Sequence, residues 1–442
     1  MIYKFRKITG VLFLLISNLI YAQNPISPLG VYIADPSAHI WNDGNLYIYG
    51  SLDESIDYYC SYRHHVMKTS DMKKWEIYKD VFSSKVNGDA VPYNDELLFA
   101  PDCAYKDGNY YLYYCQPTEI TEGVAVSESP TGPFTGGKPL NTYGYNEIDP
   151  SVFVDDDGQT YYMWGQFTLK MAKMKPDMLG IDKSTIRDSV ITEEDHHFHE
   201  GAFMSKRNGI YYLVYADISR ADKPTCIGYA TSKSVFGPYT YGGVIVDNNH
   251  CDPGNWNNHG SIIEFKNQWY VLYHRSTHGS KVMRKACVEK IFFNNDGSID
   301  EVEMTSQGAI PPLDATKQID AERACLLYGN VRIEALNANN EKLSGIQNKD
   351  KIVYKYIDFN KGIKSVTLRI KKGDKAGKIN IMIDKPWHKK IAEIKIKPGN
   401  TEQSWEDLTF KVENTKGVHA LWLQFFNEGN DVFEIDWIKF NR

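Results

Sequence analysis

Three acids, Asp35, Asp149 and Glu200, each open a similar stretch of this chain, and each stretch runs into a turn and then an aromatic strand. The first reads Ala34-Asp35-Pro36-Ser37 before Asn42-Asp43-Gly44 and Leu46-Tyr47-Ile48-Tyr49. The second reads Asp149-Pro150-Ser151 before Asp157-Gly158 and Tyr161-Tyr162-Met163-Trp164. The third reads Glu200-Gly201-Ala202 before Asn208-Gly209 and Tyr211-Tyr212-Leu213-Val214-Tyr215. Two more copies begin at Asp102 and His259, so the leading residues stand at 35, 102, 149, 200 and 259, in steps of 67, 47, 51 and 59. Such steps are close to the spacing of four-stranded propeller blades. Asn-Gly and Asp-Gly between alternating apolar runs signal tight hairpins. The expected fold is all-β, a five-bladed β-propeller.

If each repeat starts on the innermost strand of its blade, the acids converge on one end of a central channel. Gathering carboxylates there is costly, because like charges raise one another's pKa and lose water without compensation. Such a cluster needs a function or a cation. For any one of these acids, capping a turn through a side-chain oxygen is the commoner explanation, and the functional reading rests on the three together. Asp102, at the equivalent place in the second repeat, reads as a turn or supporting carboxylate.

The remaining chain divides in two. Residues 1–22 have a basic start, an apolar run from Val11 to Ile16 and a small residue at Ala22, the pattern of a signal peptide; the protein is expected to be exported, periplasmic or extracellular. The propeller is expected over 23–310. Gly308-Ala309-Ile310-Pro311-Pro312-Leu313 reads as a boundary, and 318–442 alternates apolar and polar residues as a β-sandwich of jelly-roll type does. A net charge of -6 without a basic stripe points away from nucleic acid, and the apolar run is too short to suggest membrane insertion. Seven cysteines show no metal-ligand spacing; Cys103 and Cys115 flank one hairpin and could face each other, but a chain of this size needs no staple.

Residues from about 28 to 308 resemble glycoside hydrolase family 43, through Ala34-Asp35-Pro36-Ser37, Phe99-Ala100-Pro101-Asp102, Ile148-Asp149-Pro150-Ser151, Glu200-Gly201-Ala202, His259-Gly260-Ser261 and Tyr273-His274-Arg275. The resemblance implies a five-bladed propeller that hydrolyses plant cell-wall pentose glycans with inversion. It makes Asp35 the general base, Glu200 the general acid and Asp149 the residue that orients and tunes that acid. It also implies that Arg275 reaches into the funnel to hold a sugar hydroxyl or a carboxylate, that Phe99 walls the sugar subsite, and that His259 sits on the axis near a water or a calcium ion. A channel histidine satisfied by its neighbours is an equal alternative for His259. Inversion needs two carboxyl groups about 6.5–9.5 Å apart, one activating water and one protonating the leaving oxygen, which agrees with this division of roles.

The C-terminal segment is similar to carbohydrate-binding modules of family 6, through Asp320-Ala321-Glu322, Ser404-Trp405-Glu406-Asp407, Gly417-Val418-His419 and Phe433-Glu434-Ile435-Asp436-Trp437. That similarity implies sugar stacking by Trp405 from a loop and a structural calcium held by Glu322 and Asp436; a purely structural sandwich is the alternative. No organic cofactor is expected. The expected function is an exo-acting α-L-arabinofuranosidase on arabinan or arabinoxylan, with β-xylosidase or endo-1,4-β-xylanase of the same fold as its rival and a non-catalytic sugar-binding propeller as a reading of another class. The partner is a plant cell-wall oligosaccharide or polysaccharide. Selectivity is expected from the loops 193–199 and 248–258, where His196, His197, His199 and Trp256 could line the pocket.

Overall fold

The computed structural model describes residues 23–85, 88–118, 122–220, 223–399, 404–427 and 433–442; the expected signal peptide lies outside them. Five antiparallel sheets follow one another along the chain. The first holds β1 (Tyr32–Ile40), β2 (Leu46–Asp53), β3 (Arg63–Thr69) and β4 (Glu76–Ser83), and the second β5 (Phe99–Lys106), β6 (Asn109–Cys115), β7 (Glu122–Ser127) and β8 (Thr135–Pro139). The third has three strands, β9 (Ser151–Val154), β10 (Thr160–Trp164) and β11 (Lys170–Lys173). The fourth holds β12 (Phe198–Arg207), β13 (Ile210–Asp217), β14 (Cys226–Ser232) and β15 (Thr240–Asp247), and the fifth β16 (Ser261–Phe265), β17 (Gln268–Thr277) and β18 (Ser280–Ile291). No helix among the described residues is long and apolar enough to cross a membrane.

The turns behave as their residues dictate. Asp107-Gly108 and Asn208-Gly209 each make a two-residue hairpin loop, with positive φ at both positions, the backbone that matches strand twist. Lys266-Asn267 does the same in the fifth blade without a glycine. The tyrosines that crowd the sequence are mostly packing. One apolar cluster lies between each pair of neighbouring blades: Tyr47, Tyr49 and Tyr114 between the first two, Tyr113, Tyr162 and Trp164 between the next two, Met163, Leu213 and Tyr215 beyond them, then Tyr212, Tyr229 and Tyr273. A further cluster joins Ile33, Ile48 and Met67 of the first blade to Leu272, Ala286 and Val288 of the fifth, closing the ring. The chain start seals this seam, since Ile26 N–H donates to Ala286 O and the Asn24 side chain bonds Val288 on both its backbone groups.

From Leu313 the chain forms two further sheets that face each other across a separate core including Leu327, Ile352, Leu368, Ile381, Leu423 and Phe440. One is built mainly from Lys351–Asp358, Val418–Asn427, Gly377–Ile383 and Lys389–Ile396, the other from Arg332–Asn337, Asn340–Ser344, Phe433–Asn441, Ser365–Lys372 and Trp405–Lys411. This is the β-sandwich. It is seated on the propeller: Cys325 and Val353 join the cluster of Ile245, Cys287 and Met304, and buried Lys285 of β18 pairs with buried Glu341. All seven cysteines are buried and unpaired, Cys103 and Cys115 among them.

Candidate active site

Asp35 and Glu200 are placed by a local break in an innermost strand, and Asp149 stands just before the innermost strand of its blade. The pairing of β1 with β2 slips between Ala34 and Ser37, and that of β12 with β13 slips between Glu200 and Phe203. Such bulges turn a side chain out of the sheet's alternation. Asp35 and Asp149 adopt positive φ, and beside Glu200 that conformation falls on Gly201, where the backbone comes so close to His259 that a Cβ would meet its ring at 2.7 Å. Asp102 lies at a third bulge, on β5, but accepts bonds from His39, Cys103 N–H and Val152 N–H, tying three blades at the axis.

Asp35, Asp149 and Glu200 do converge, on a cavity of about 310 Å³ lined also by Phe99, Gln166, Asn257, His259 and Arg284. Asp35 Oδ1 accepts from Arg284 at 2.9 Å and lies 3.5 Å from His259 Nδ1, while Oδ2 accepts from Ser51 at 2.6 Å. Its backbone N–H donates to His274 Nδ1, and His274 Nε2 faces the Asn257 carbonyl. Burial opposes ionisation of Asp35, but Arg284, His274 and His259 together outweigh it and hold the carboxyl well below the ordinary carboxylate range. Asp149 is pushed the other way. Burial raises it most, then the charges of Glu200 and Asp35, so it retains a proton well above the usual range. Glu200, half-buried, accepts from Gln166 Nε2 at 2.8 Å and from Asn257 Nδ2 at 3.1 Å.

The other expected residues divide. Phe99 and His259 line the cavity, as do His199 and Trp256. His196 instead bonds Thr192 N–H and the Tyr239 carbonyl, and His197 ends the short helix in left-handed conformation. Arg275 is a correction: it does not line the cavity. Alternation along β17 turns His274 toward Asp35 and Arg275 to the opposite face, where its guanidinium bonds Tyr273 Oη, the Thr305 carbonyl and Glu289. Arg284 is the buried cation that lines the cavity, and its signal in the sequence was a pair of charged residues, Arg284-Lys285, between the apolar Val282-Met283 and Ala286. Tyr59 and Gln166 were also unforeseen, since they come from loops with no repeat to mark them, while Asn257 lies in the expected loop 248–258 but was not singled out there.

In the sandwich, Trp405 is half-buried at the start of an edge strand, opposite Lys371, rather than on a loop. The two expected calcium ligands are in different states: Asp436 is engaged by other side chains and Glu322 is not. Asp436 is engaged by Asn340 at 2.8 Å and Arg369 at 3.2 Å. Glu322 is 2% exposed with neither carboxyl oxygen hydrogen-bonded, and burial pushes it up to about 7. Calcium takes six to eight oxygens, and among the described residues no three His, Cys, Asp or Glu side chains are grouped to hold a metal.

Comparison with known proteins gives this cavity its setting. Residues 22–299 match the model of the glycosyl hydrolases family 43, and residues 320–442 match the carbohydrate binding module of family 6. An arabinoxylan arabinofuranohydrolase of Bacillus subtilis is 30% identical over 92% of this chain and 90% of its own. A xylosidase/arabinosidase of Thermoclostridium stercorarium is 28% identical over 92% and 96%. The crystal structure of a family 43 arabinoxylan arabinofuranohydrolase from Bacillus subtilis in complex with cellotetraose aligns with a TM-score of 0.56 at 27% identity, covering 96% of this chain and 99% of that one. The family match spans more than half of the chain and the relatives' coverage runs through both domains: this protein belongs to glycosyl hydrolase family 43, and it is a glycoside hydrolase.

Proposed function

We propose that the protein is an exo-acting, inverting α-L-arabinofuranosidase acting on arabinan or arabinoxylan. The observation that carries this reading is the convergence of Asp35, Asp149 and Glu200 on one cavity, where Arg284 draws the Asp35 carboxyl below the ordinary range and burial pushes that of Asp149 above it. Asp35, fixed by Arg284 and Ser51, is the base that takes a proton from the attacking water. Glu200 is the acid that protonates the leaving oxygen, oriented by Gln166 and Asn257. Asp149 lines the same cavity, and the charge of Glu200 is among the causes that keep its proton on. Phe99 offers an apolar wall to the sugar and His259 spans Asp35 and Asp149. The cavity lies at the small end of the ~300–1,000 Å³ range of ligand pockets, which suits removal of a single end unit.

Arabinofuranoside specificity is supported by the relative named arabinoxylan arabinofuranohydrolase, matched along both domains; the one named xylosidase/arabinosidase accords with either reading. β-Xylosidase is the second reading, because a β-xylosidase of Xylanibacter ruminicola is 27% identical over 62% of this chain. Nitrophenyl α-L-arabinofuranoside and β-D-xylopyranoside, assayed side by side, separate the two, and turnover of the xyloside alone rejects the first. Proton NMR of the first-formed anomer tests inversion. Glu200→Gln is expected to bind oligosaccharide normally and to lose on the order of 10²–10⁴-fold in turnover; unchanged turnover removes Glu200 from the mechanism. We also infer export by the N-terminal segment, for which the test is a mature N-terminus at Gln23 in protein recovered outside the cytoplasm.

A further inference from the structure

Trp256 stands at the cavity mouth with 41% of its surface exposed. Its loop is held firmly. Asn248 donates to the carbonyls of Asn257 and His274, Asn255 donates to Asn248 Oδ1 and accepts from Ser276, and Asn258 donates to Thr225 O. An indole presented by so well-bonded a loop is a prepared platform rather than a stray apolar residue. The next residue, Asn257, bonds Glu200, so the platform lies beside the group that protonates the leaving oxygen.

The same loop is locked to the hairpin that carries Lys281. Gly254 lies against the Gly279–Ser280 backbone so closely that a Cβ would meet it at 2.3 Å, and Asp252 accepts from both Gly254 N–H and Gly279 N–H. Lys281 Nζ is thereby set 5.6 Å from the Tyr59 ring centre and 6.0 Å from that of Trp256, within cation–π range. Lys223 Nζ approaches the same indole at 5.9 Å. Lys281 is exposed and pairs with no carboxylate among the described residues. The inner cavity, by contrast, holds three carboxyl residues against Arg284. An anionic sugar is therefore disfavoured inside and favoured at the rim.

We propose that Trp256, Tyr59 and Lys281 form a subsite on the leaving-group side that takes a sugar bearing a carboxylate, as in a pentose glycan substituted with uronic acid. The indole stacks on the sugar face and the ammonium meets the carboxylate. This deepens the proposed function and rests on it, because the subsite lies beyond the bond that Glu200 acts on.

The test compares two arabinoxylan oligosaccharides that differ only in one uronic acid next to the cleaved unit. For the unchanged enzyme, kcat/KM is expected to favour the acidic oligosaccharide, and the preference to shrink between low salt and 0.5 M NaCl. In Lys281→Gln the ratio of acidic to neutral kcat/KM is expected to fall about fivefold, the scale of one partly exposed charge pair. A ratio that Lys281→Gln leaves unchanged overturns the proposal; an equal change on both oligosaccharides does so too, and makes Lys281 a counter-charge to the cavity acids. Titration calorimetry of the same oligosaccharides on Glu200→Gln, with and without Lys281→Gln, reads the preference without catalysis. Absence of a uronate preference in Glu200→Gln with Lys281 intact, with nitrophenyl arabinofuranoside still cleaved by the unchanged enzyme, sinks the subsite alone; failure to cleave any arabinofuranoside sinks the parent reading.

Discussion

Between Asp35 and Asp53, both buried, Arg284 donates from Nη1 to the first and from Nε and Nη2 to the second. A lysine delivers the same charge but cannot fork across two carboxylates. Arg284→Lys is therefore expected to loosen Asp35 and to lower kcat/KM on the order of 100-fold, as misplacement of a reacting group by about 1 Å does. The pH profile carries the sharper signature. Asp35 acts ionised, and Arg284 is the largest influence holding its proton affinity down, so weakening that contact raises the pKa and moves the acidic limb of kcat/KM to higher pH. A limb that stays in place separates Arg284 from the base. Glu122 presents the opposite sign. Burial pushes it up to about 8, with one carboxyl oxygen unbonded. Folded protein then keeps a proton that unfolded chain releases near pH 4.5, so Glu122's contribution is fully present below that pH and lost as pH rises toward 8. Thermal melts of Glu122→Gln against the unchanged protein are expected to show a flatter decline over that window.

Bulged inner strands are the elements that make the site, and they were the least legible part of it. The repeats stood out because turn residues mark hairpins through backbone conformation, which is local: Asn208-Gly209 could be read without knowing anything else. The acids were legible through their place at the start of each repeat. Which face a residue presents depends on strand register, and one residue of slip reverses it. Arg275, expected in the cavity from the family resemblance, falls on the face turned away from it, and Arg284, on the neighbouring strand, occupies it. The three-stranded third and fifth blades were equally hidden, because pairing of outer strands is set by contacts distant in sequence. Gly201 tests the bulge directly. At φ +66° with the His259 ring against it, Gly201→Ala is expected to lose about 1–2 kcal/mol of stability from the left-handed conformation alone. Displacing both His259 and Glu200 is expected to lower turnover on the order of 100-fold. Denaturant melts and steady-state kinetics on one preparation check both, and a destabilised variant with full turnover removes the bulge from the catalytic argument.

Across the whole molecule, the sandwich is built onto the propeller rather than tethered to it. Lys285 Nζ donates to Glu341 Oε2 at 2.5 Å, Tyr32 Oη donates to Glu341 Oε1 at 3.0 Å, and the Ala335 N–H reaches His278 of the propeller. Lys285 is on the last strand of the fifth blade and Tyr32 on the first strand of the first, so one carboxylate of the sandwich bridges the seam at which the ring closes. Burial resists the charge on Glu341, and Lys285 lowers its pKa in spite of that. Breaking such a pair leaves a charge without compensation, whereas replacing both partners by apolar groups removes the cost of dehydrating either. Glu341→Gln is expected to cost about 3–5 kcal/mol. The double variant Lys285→Met with Glu341→Leu is expected to recover most of that loss, although Tyr32 then keeps a hydroxyl without its acceptor. Equilibrium unfolding of the unchanged protein, Lys285→Met, Glu341→Leu and the double variant gives the coupling energy. If the ion pair joins the domains into one unit, the single variants split unfolding into two transitions, with the propeller, deprived of its seam, melting first; one cooperative transition in Glu341→Gln assigns the joining instead to the apolar contact of Cys325 and Val353 with Ile245 and Met304.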